Sequence, residues 1–468
     1  MKSIHREGKN QLLRLFLLTS ASILLLLSCK TTKSTVSYNH SPSVYRTGYD
    51  DSTLAKNTLP LLMPYNKIID PAGQTIKYGD PALENHALDC MFDLQKKFLA
   101  VIDRYGLAIV NPASFKIIDR VSYPDHKALK HFENTFSGVA WYERNDSLYV
   151  LTSVVDSRNS YVLMFYWNGS HSKLVRKFGI EAESPAPIAL PNDLAVSHET
   201  DGDCLLVVCN GNNTIVKIDL QTGEKVWTRP TGMVPYGLAI AGNKIYISNW
   251  GGARPGRNAA STAGAPWGSI FVDSTTGAAS SGTVSVLDLK DGRQIREIPV
   301  GLHPNAIISN KVGSRVYVAN GNSDNVSVIN TSTGGVVDTV PVGLFKKGQP
   351  YYGDTPNALV LGKDEKTLYV ANGMDNAIAV VSLAPGMKDS AMLEGFIPTE
   401  AYPSGLALDD ANHLFVTNLE AEGARATVGD TADKAFQTFH RSNAVPTAHS
   451  FNAHRMLASV SSIPVPDA

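Results

Sequence analysis

The chain is poor in the residues that would define a small cross-linked fold or a charged surface. It has four cysteines in 468 residues, at spacings that fit neither a disulfide framework nor a zinc ligand pattern. Cys204 and Cys209 lie five apart on one expected strand, so they point to opposite faces and can neither pair nor share a metal. With Cys90 they read as small core residues. An excess of one charge is also missing: 42 basic and 43 acidic residues leave a formal net charge of -1. That balance offers no basic field for nucleic acid and no acidic tail. The one long apolar run, Leu15 to Leu27, is 13 residues, short of the roughly 20 that a membrane-spanning helix needs. There is no Gly-x-Ser-x-Gly elbow, and the glycine-rich stretches Gly251-Gly252 and Gly277 to Gly282 lack the strand-to-helix setting of a phosphate loop.

What the chain has is a repeated phrase. Val316-Tyr317-Val318-Ala319-Asn320 returns as Leu368 to Asn372, as Ile245 to Asn249 and as Leu414 to Asn418, with a worn copy at Leu206 to Asn210. A Pro-led phrase precedes each: Pro191-Asn192-Asp193, Pro235-Tyr236-Gly237, Pro304-Asn305-Ala306, Pro356-Asn357-Ala358 and Pro403-Ser404-Gly405. From Pro to terminal Asn the gaps are 19, 14, 16, 16 and 15 residues. Self-similarity of about 40–50 residues with several short strands per unit marks a propeller. The unit starting at Pro304 reads as four strands rich in β-branched residues, split by Gly/Asn/Asp turns. Its first two strands are nearly continuous in apolar residues, as expected when both faces are buried between neighbours.

Two further units, from Asn85 and around Leu148 to Phe165, bring the count to seven, with six or eight still open. The expected fold is all-β, a seven-bladed β-propeller of four-stranded antiparallel blades over residues 61–468. The last unit recovers only a third strand, Ser459 to Ile463, and Gln74 to Tyr78 is expected to supply its fourth, pairing two edges that would otherwise be exposed. If each unit enters its inner strand from the top, the Pro-led phrases and the long loops Trp250 to Gly282, Leu344 to Thr355 and Leu419 to Leu457 share that face.

Residues 1–29 read as an export signal. Lys2, Arg6, Lys9 and Arg14 lead into the apolar run, which ends Leu26-Leu27-Ser28-Cys29. This ending resembles the bacterial lipobox, which implies diacylglycerol on Cys29 and a lipid-tethered mature protein. Lys30 follows, where an Asp would imply inner-membrane retention, so the expected location is the outer membrane or cell surface of a Gram-negative-type bacterium. Residues 30–60, rich in Ser, Thr and Asn, read as a flexible tether.

The expected top face gathers the candidate binding residues Asn85, His86, Asn192, Asp193, Asn249, Trp250, Trp267, His303, Asn305 and Asn357. Recurring Asn speaks first for turn duty, because Asn tolerates left-handed geometry and closes turns through its own side chain. Among the Pro-led phrases only Pro191-Asn192-Asp193 carries an Asp. Asn with Asp at a propeller mouth resembles the metal pair of gluconolactonase-type enzymes, which implies calcium or zinc polarising a lactone; Glu84, Asn85 and His86 face the same mouth. Against it, the other phrases contribute Asn, Tyr, Gly and Ser rather than carboxylates. Trp250 and Trp267 bracket one long loop, either as a stacking platform for a sugar or peptide or as pins for that loop. His440, His449 and His454 are spaced nine and five apart and match no zinc signature.

Tyr317-Val318-Ala319-Asn320 with Val326-Ser327-Val328-Ile329, and the strings Gly301 to Asn305, Ala371 to Asn376 and Gly395 to Glu400, resemble the YVTN-repeat (YncE-like) propellers. More narrowly they resemble the propeller half of bacterial fusions to an alkaline-phosphatase-superfamily phosphoesterase. The resemblance covers most of residues 60–468, and the fused phosphoesterase with its metal-bound nucleophile has no counterpart in this sequence. No catalytic residue therefore carries over. The expectation is a non-catalytic, cofactor-free binding or scaffold module. Its partners would be the membrane, through the Cys29 lipid, and an envelope protein or phosphoesterase. The alternative is a metal-dependent lactonase-like hydrolase using Asn192 and Asp193. A quinone-dependent dehydrogenase would need a recurring Trp signature that is missing.

Overall fold

Strand-forming residues set between Gly/Asn turns have one outlet for their apolar faces, the neighbouring unit, and stacking the units closes a ring. In the computed structural model, residues 61–62, 68–80, 83–265, 268–344, 353–383, 390–423 and 456–466 are described. Cys29, the tether, Trp267 and His440, His449 and His454 lie outside them.

Seven four-stranded antiparallel sheets follow one another along the chain. Blade 1 is Ala87–Phe92, Leu99–Asp103, Gly106–Asn111 and Lys116–Ser122. Blade 2 is Glu133–Arg144, Ser147–Val155, Ser160–Trp167 and Ser172–Ile180. Blade 3 is Pro191–Glu199, Gly202–Cys209, Thr214–Asp219 and Lys225–Pro230. Blade 4 is Met233–Ala241, Lys244–Gly252, Thr283–Asp288 and Gln294–Pro299. Blade 5 is Pro304–Ser309, Arg315–Asn320, Asn325–Asn330 and Gly335–Pro341. Blade 6 is Pro356–Leu361, Thr367–Asn372, Ala377–Ser382 and Met392–Pro398.

Blade 7 takes Ala401–Leu408, His413–Ala421 and Ala458–Pro464 from the late chain and Gln74–Tyr78 from the early chain. The join runs from Gln74 opposite Ser462 to Tyr78 opposite Ala458. The expected closure is therefore present, with the early strand outermost.

The core is divided among the seams. One hydrophobic cluster packs Leu107, Ile109, Val150 and Phe165 between blades 1 and 2. Equivalent clusters fill the six other junctions, ending with Phe415, Val460 and Leu99 between blades 7 and 1. Each interior strand must therefore be apolar on both faces, because each face feeds a different seam. The second and third strands carry this burial: Arg315–Asn320 and Asn325–Asn330 are buried beyond their first residue. The expectation had placed it on the first and second. The first strand borders the axis of the ring, and buried residues there mix with partly covered ones, as in Pro191–Glu199. Fourth strands alternate, buried inward and exposed outward, as in Ser172–Ile180.

In every blade the first strand starts beside the end of the second, as Pro304 does opposite Asn320. The long connections leave from this same face. The one between Gly252 and Thr283 carries its own hairpin, Thr262–Ala265 with Gly268–Phe271.

Candidate functional site

The residue at the head of each first strand sets the shape of the mouth. His86, Leu190, His303 and Thr355 precede the first strands of their blades, Val234 and Tyr402 are the second residues of theirs, and all six adopt left-handed backbone geometry, with φ between 44° and 58°. None is glycine, and Val234 and Thr355 are β-branched, for which this geometry is strained. The surrounding strands enforce it. The chain turns sharply there, and six side chains of five kinds, all partly exposed, stand at equivalent places around the axis. Blade 2 replaces the motif with a wider bulge, Asn134 to Val139, which pushes Phe136 to 47% exposure.

The predicted Asn residues mostly serve the frame. Asn192 is fully buried; its Oδ1 accepts the Ser137 N–H at 3.0 Å and its Nδ2 donates to Tyr236 O at 2.9 Å, tying blades 2, 3 and 4 together. The Asn85 amide donates to the carbonyls of Asp80, Leu83 and Met456 and accepts from the Asp80 N–H, holding the early chain against the late one. Asn249 donates to Thr283 Oγ1 and Ser285 Oγ in the next strand of its blade. Asn305 Oδ1 accepts the N–H of its neighbour Ala306. His86 is held by Glu84 Oε1 at 2.8 Å and by the Leu419 carbonyl at 3.0 Å, beside the Arg104 ion pairs with Glu84 and Glu133.

Register shows what the repeated phrase left hidden. Leu194 lies opposite Val207, two residues before the end of its partner strand, and Cys90 lies opposite Val101 in the same way. Asp89 therefore occupies in blade 1 the place of Asp193 in blade 3, so Asp193 is not alone in its position. The equivalent residues elsewhere are Gly138, Gly237, Ala306, Ala358 and Gly405.

The neighbouring second-strand residue compensates for each choice. Where the first strand has Gly, the second supplies a hydroxyl, Ser153, Ser248 or Thr417. In blades 2 and 4 that hydroxyl donates directly to the next blade, Ser153 to Asn192 O and Ser248 to Asn305 O. In blade 7 Thr417 Oγ1 pairs with Ser404 Oγ, which reaches Ala87 O in blade 1. Where the first strand has Asp, the second-strand residue is the apolar Ile102 or Val208, and the carboxylate makes the link. Asp193 accepts the N–H of Leu194 and, across the seam, of Leu238. Asp89 accepts from Cys90 and from Gly138 of blade 2.

These carboxylates stand half-buried on the innermost strands. Burial, then the nearby Asp193, pushes the Asp89 carboxyl up to about 7. Burial pushes Asp193 up to about 6. Above them the Tyr236 phenol is held protonated by burial, then by the charges of Asp89 and Asp193, and it lies beside Ser137. Among the described residues, no basic group acts on any of the three.

A wall of rings borders this well. Tyr236 stacks on Trp250 with centroids 4.5 Å apart, and Trp250 stacks on His303 at 4.5 Å. Phe136 closes the row 5.5 Å from Trp250. Trp250 is thus sandwiched, with both faces covered, and what it offers a ligand is its edge. Burial lowers the His303 pKa and keeps the ring neutral. Among the described residues, Trp250 Nε1, His303 Nδ1 and Asn357 Oδ1 are buried without a hydrogen-bond partner, an arrangement that calls for water or a ligand. Asn357 lies beside Tyr402. Asp89, Phe136, Tyr236 and Tyr402 escaped sequence reasoning. Equivalence of Asp89 with Asp193 was the available signal, and blade 1 hides it by lacking the Pro.

Among the described residues, no three His, Cys, Asp or Glu side chains gather closely enough to hold a metal. Asn192 has both ends of its amide engaged within the protein. A cation at the mouth would instead meet Asp193 with Asp89.

No protein-family model matches the chain, and no curated protein sequence does. Solved structures match in fold. A chain of Kuenenia stuttgartiensis hydrazine synthase superposes with TM-score 0.50 at 15% identity, covering 74% of this chain and 94% of that one. The U3-55K structure gives 0.56 at 9% identity, covering 85% and 100%. A chain of the mitotic checkpoint complex gives 0.52 at 13%, covering 75% and 90%. At such identities the likeness extends to the propeller fold alone.

Proposed function

We propose that this chain is a lipid-anchored binding propeller of the bacterial envelope that takes its ligand or partner at the mouth of the ring. The observation that carries this reading is the well itself: two half-buried carboxylates with no basic neighbour among the described residues, walled by rings whose buried polar atoms lack partners there. Such a well suits a cationic group, which would offset the negative charge at the axis and meet the exposed ring of Phe136. The YVTN-repeat resemblance supports placing the module beside a phosphoesterase, as the part that recognises rather than reacts. The lipobox-like Leu26-Leu27-Ser28-Cys29 supports the anchor.

Calorimetric titration with tetramethylammonium and with putrescine tests the mouth. Saturable binding should tighten from about pH 5 to about pH 8 as both carboxyls ionise, and Asp193→Asn should weaken it at least tenfold. PH-independent binding, or binding unchanged in the variant, would refute the reading. Radiolabelled palmitate should enter the wild-type protein and not Cys29→Ala.

A second reading, metal-dependent hydrolysis of a lactone, draws support from the same carboxylate pair. It requires calcium or zinc in the purified protein by mass spectrometry, with metal and turnover both lost in Asp193→Ala.

A further inference from the structure

A second concavity lies away from the mouth, where the blade 4 insertion folds back over blade 3. It is a cleft of ≈ 710 Å³, within the range that small ligands occupy. One wall is the connection at Glu183 to Pro185, pinned by Asn212, whose Oδ1 accepts the Glu183 N–H and whose Nδ2 donates to Glu181 O. The insertion contributes Arg254 and Arg257 to the lining, and the last strand of blade 3 contributes Arg229.

None of these three guanidinium groups has a carboxylate ion-pair partner among the described residues. Arg254 is held by carbonyls: its Nε donates to Thr231 O and its Nη2 to Asn213 O, each at 2.6 Å. Glu297 acts on it through its charge without forming an ion pair, and the backbone aims its remaining N–H groups. Arg229 is fixed similarly, to Asp291 O and Thr228 O. Thr214, 5% exposed, lines the same cleft; its hydroxyl lies beside the weakly bonding Cys209 thiol and has no stronger partner among the described residues. Against three positive charges the described lining has one acid, Glu183, and Glu297 lies close enough to act on Arg254. A planar, pre-oriented guanidinium matches two oxygens of one anion.

We infer that this cleft binds a small oxyanion-bearing ligand, a carboxylate or a phosphate, with Arg254 and Arg257 as its charged contacts and Thr214 as a hydroxyl donor. The inference stands apart from the mouth, and its failure would leave that reading untouched.

Calorimetric titration of the purified protein with inorganic phosphate, and separately with citrate, at constant ionic strength in chloride, tests it. At least one anion should bind saturably at one site per chain and raise the melting temperature. Phosphate alone would mark a phosphorylated ligand, citrate alone a polycarboxylate. Arg254→Gln and Arg257→Gln should each weaken binding at least tenfold. Because Arg254 also braces two loops, Arg257→Gln, an exposed position, is the decisive variant where the first does not fold. Absence of saturation with both anions, or wild-type affinity in Arg257→Gln, overturns the proposal.

Discussion

A carboxylate at a blade seam does a hydroxyl's work and adds a charge that responds to pH. The Asp89 carboxyl titrates near 3.8 when unperturbed and is pushed up to about 7 in the folded protein. The folded state therefore holds the proton more tightly than the unfolded one. The resulting stabilisation is complete below about pH 4 and disappears as pH rises through about 7. Asp89→Asn should flatten this slope and melt higher than wild type at about pH 8, by several degrees; a lower melting point at that pH would mean that the ionised form is needed at the seam. Gly138 is a sharper constraint. Its φ is +109°, and a Cβ there would lie 2.0 Å from the Asn192 carbonyl oxygen, which is backbone and cannot step aside. Gly138→Ala should cost more than ~2 kcal/mol in urea unfolding. These residues show where sequence reading stops. Asp193 was visible because a proline announced it, whereas Asp89, identical in register, follows Ala87-Leu88 and carries no announcement. Tyr402 and Val234 fall one place before the repeated phrase and differ from blade to blade, so a search for likeness passes over them.

At the scale of the element, the repeat was legible because each strand's composition follows from how many faces it buries. The long Asn134 to Val139 bulge was not, since a bulge depends on pairing with a strand not yet placed. The seam pattern separates the blades by how they are joined. Blades 5 and 6 have Ala in both seam positions, Ala306 with Ala319 and Ala358 with Ala371, and so lack the hydroxyl or carboxylate link used elsewhere. Apolar packing alone holds those two positions. Hydrogen exchange should therefore show the first strands of blades 6 and 7 opening before those of blades 3 and 5. Faster exchange at blades 3 and 5 would mean that the polar links contribute nothing to local stability.

For the molecule as a whole, closure depends on one short outer strand. Gln74–Tyr78 is added along Ala458–Pro464 through five residue pairs, and its removal would leave that strand as an unpaired edge. A variant starting after Tyr78 should melt at least 10 °C lower, by roughly the stability a lost strand represents, and should self-associate on size exclusion. A monomer of unchanged stability would show that the other six seams suffice. The left-handed residues at the head of six blades carry a different implication. Their backbones are alike and their side chains are His, Leu, Val, His, Thr and Tyr, so chemistry at the rim is uncoupled from architecture. A descendant of this ring can change what it reads by rewriting six letters, and a protein engineer can spell new ones there without reopening the question of how it folds.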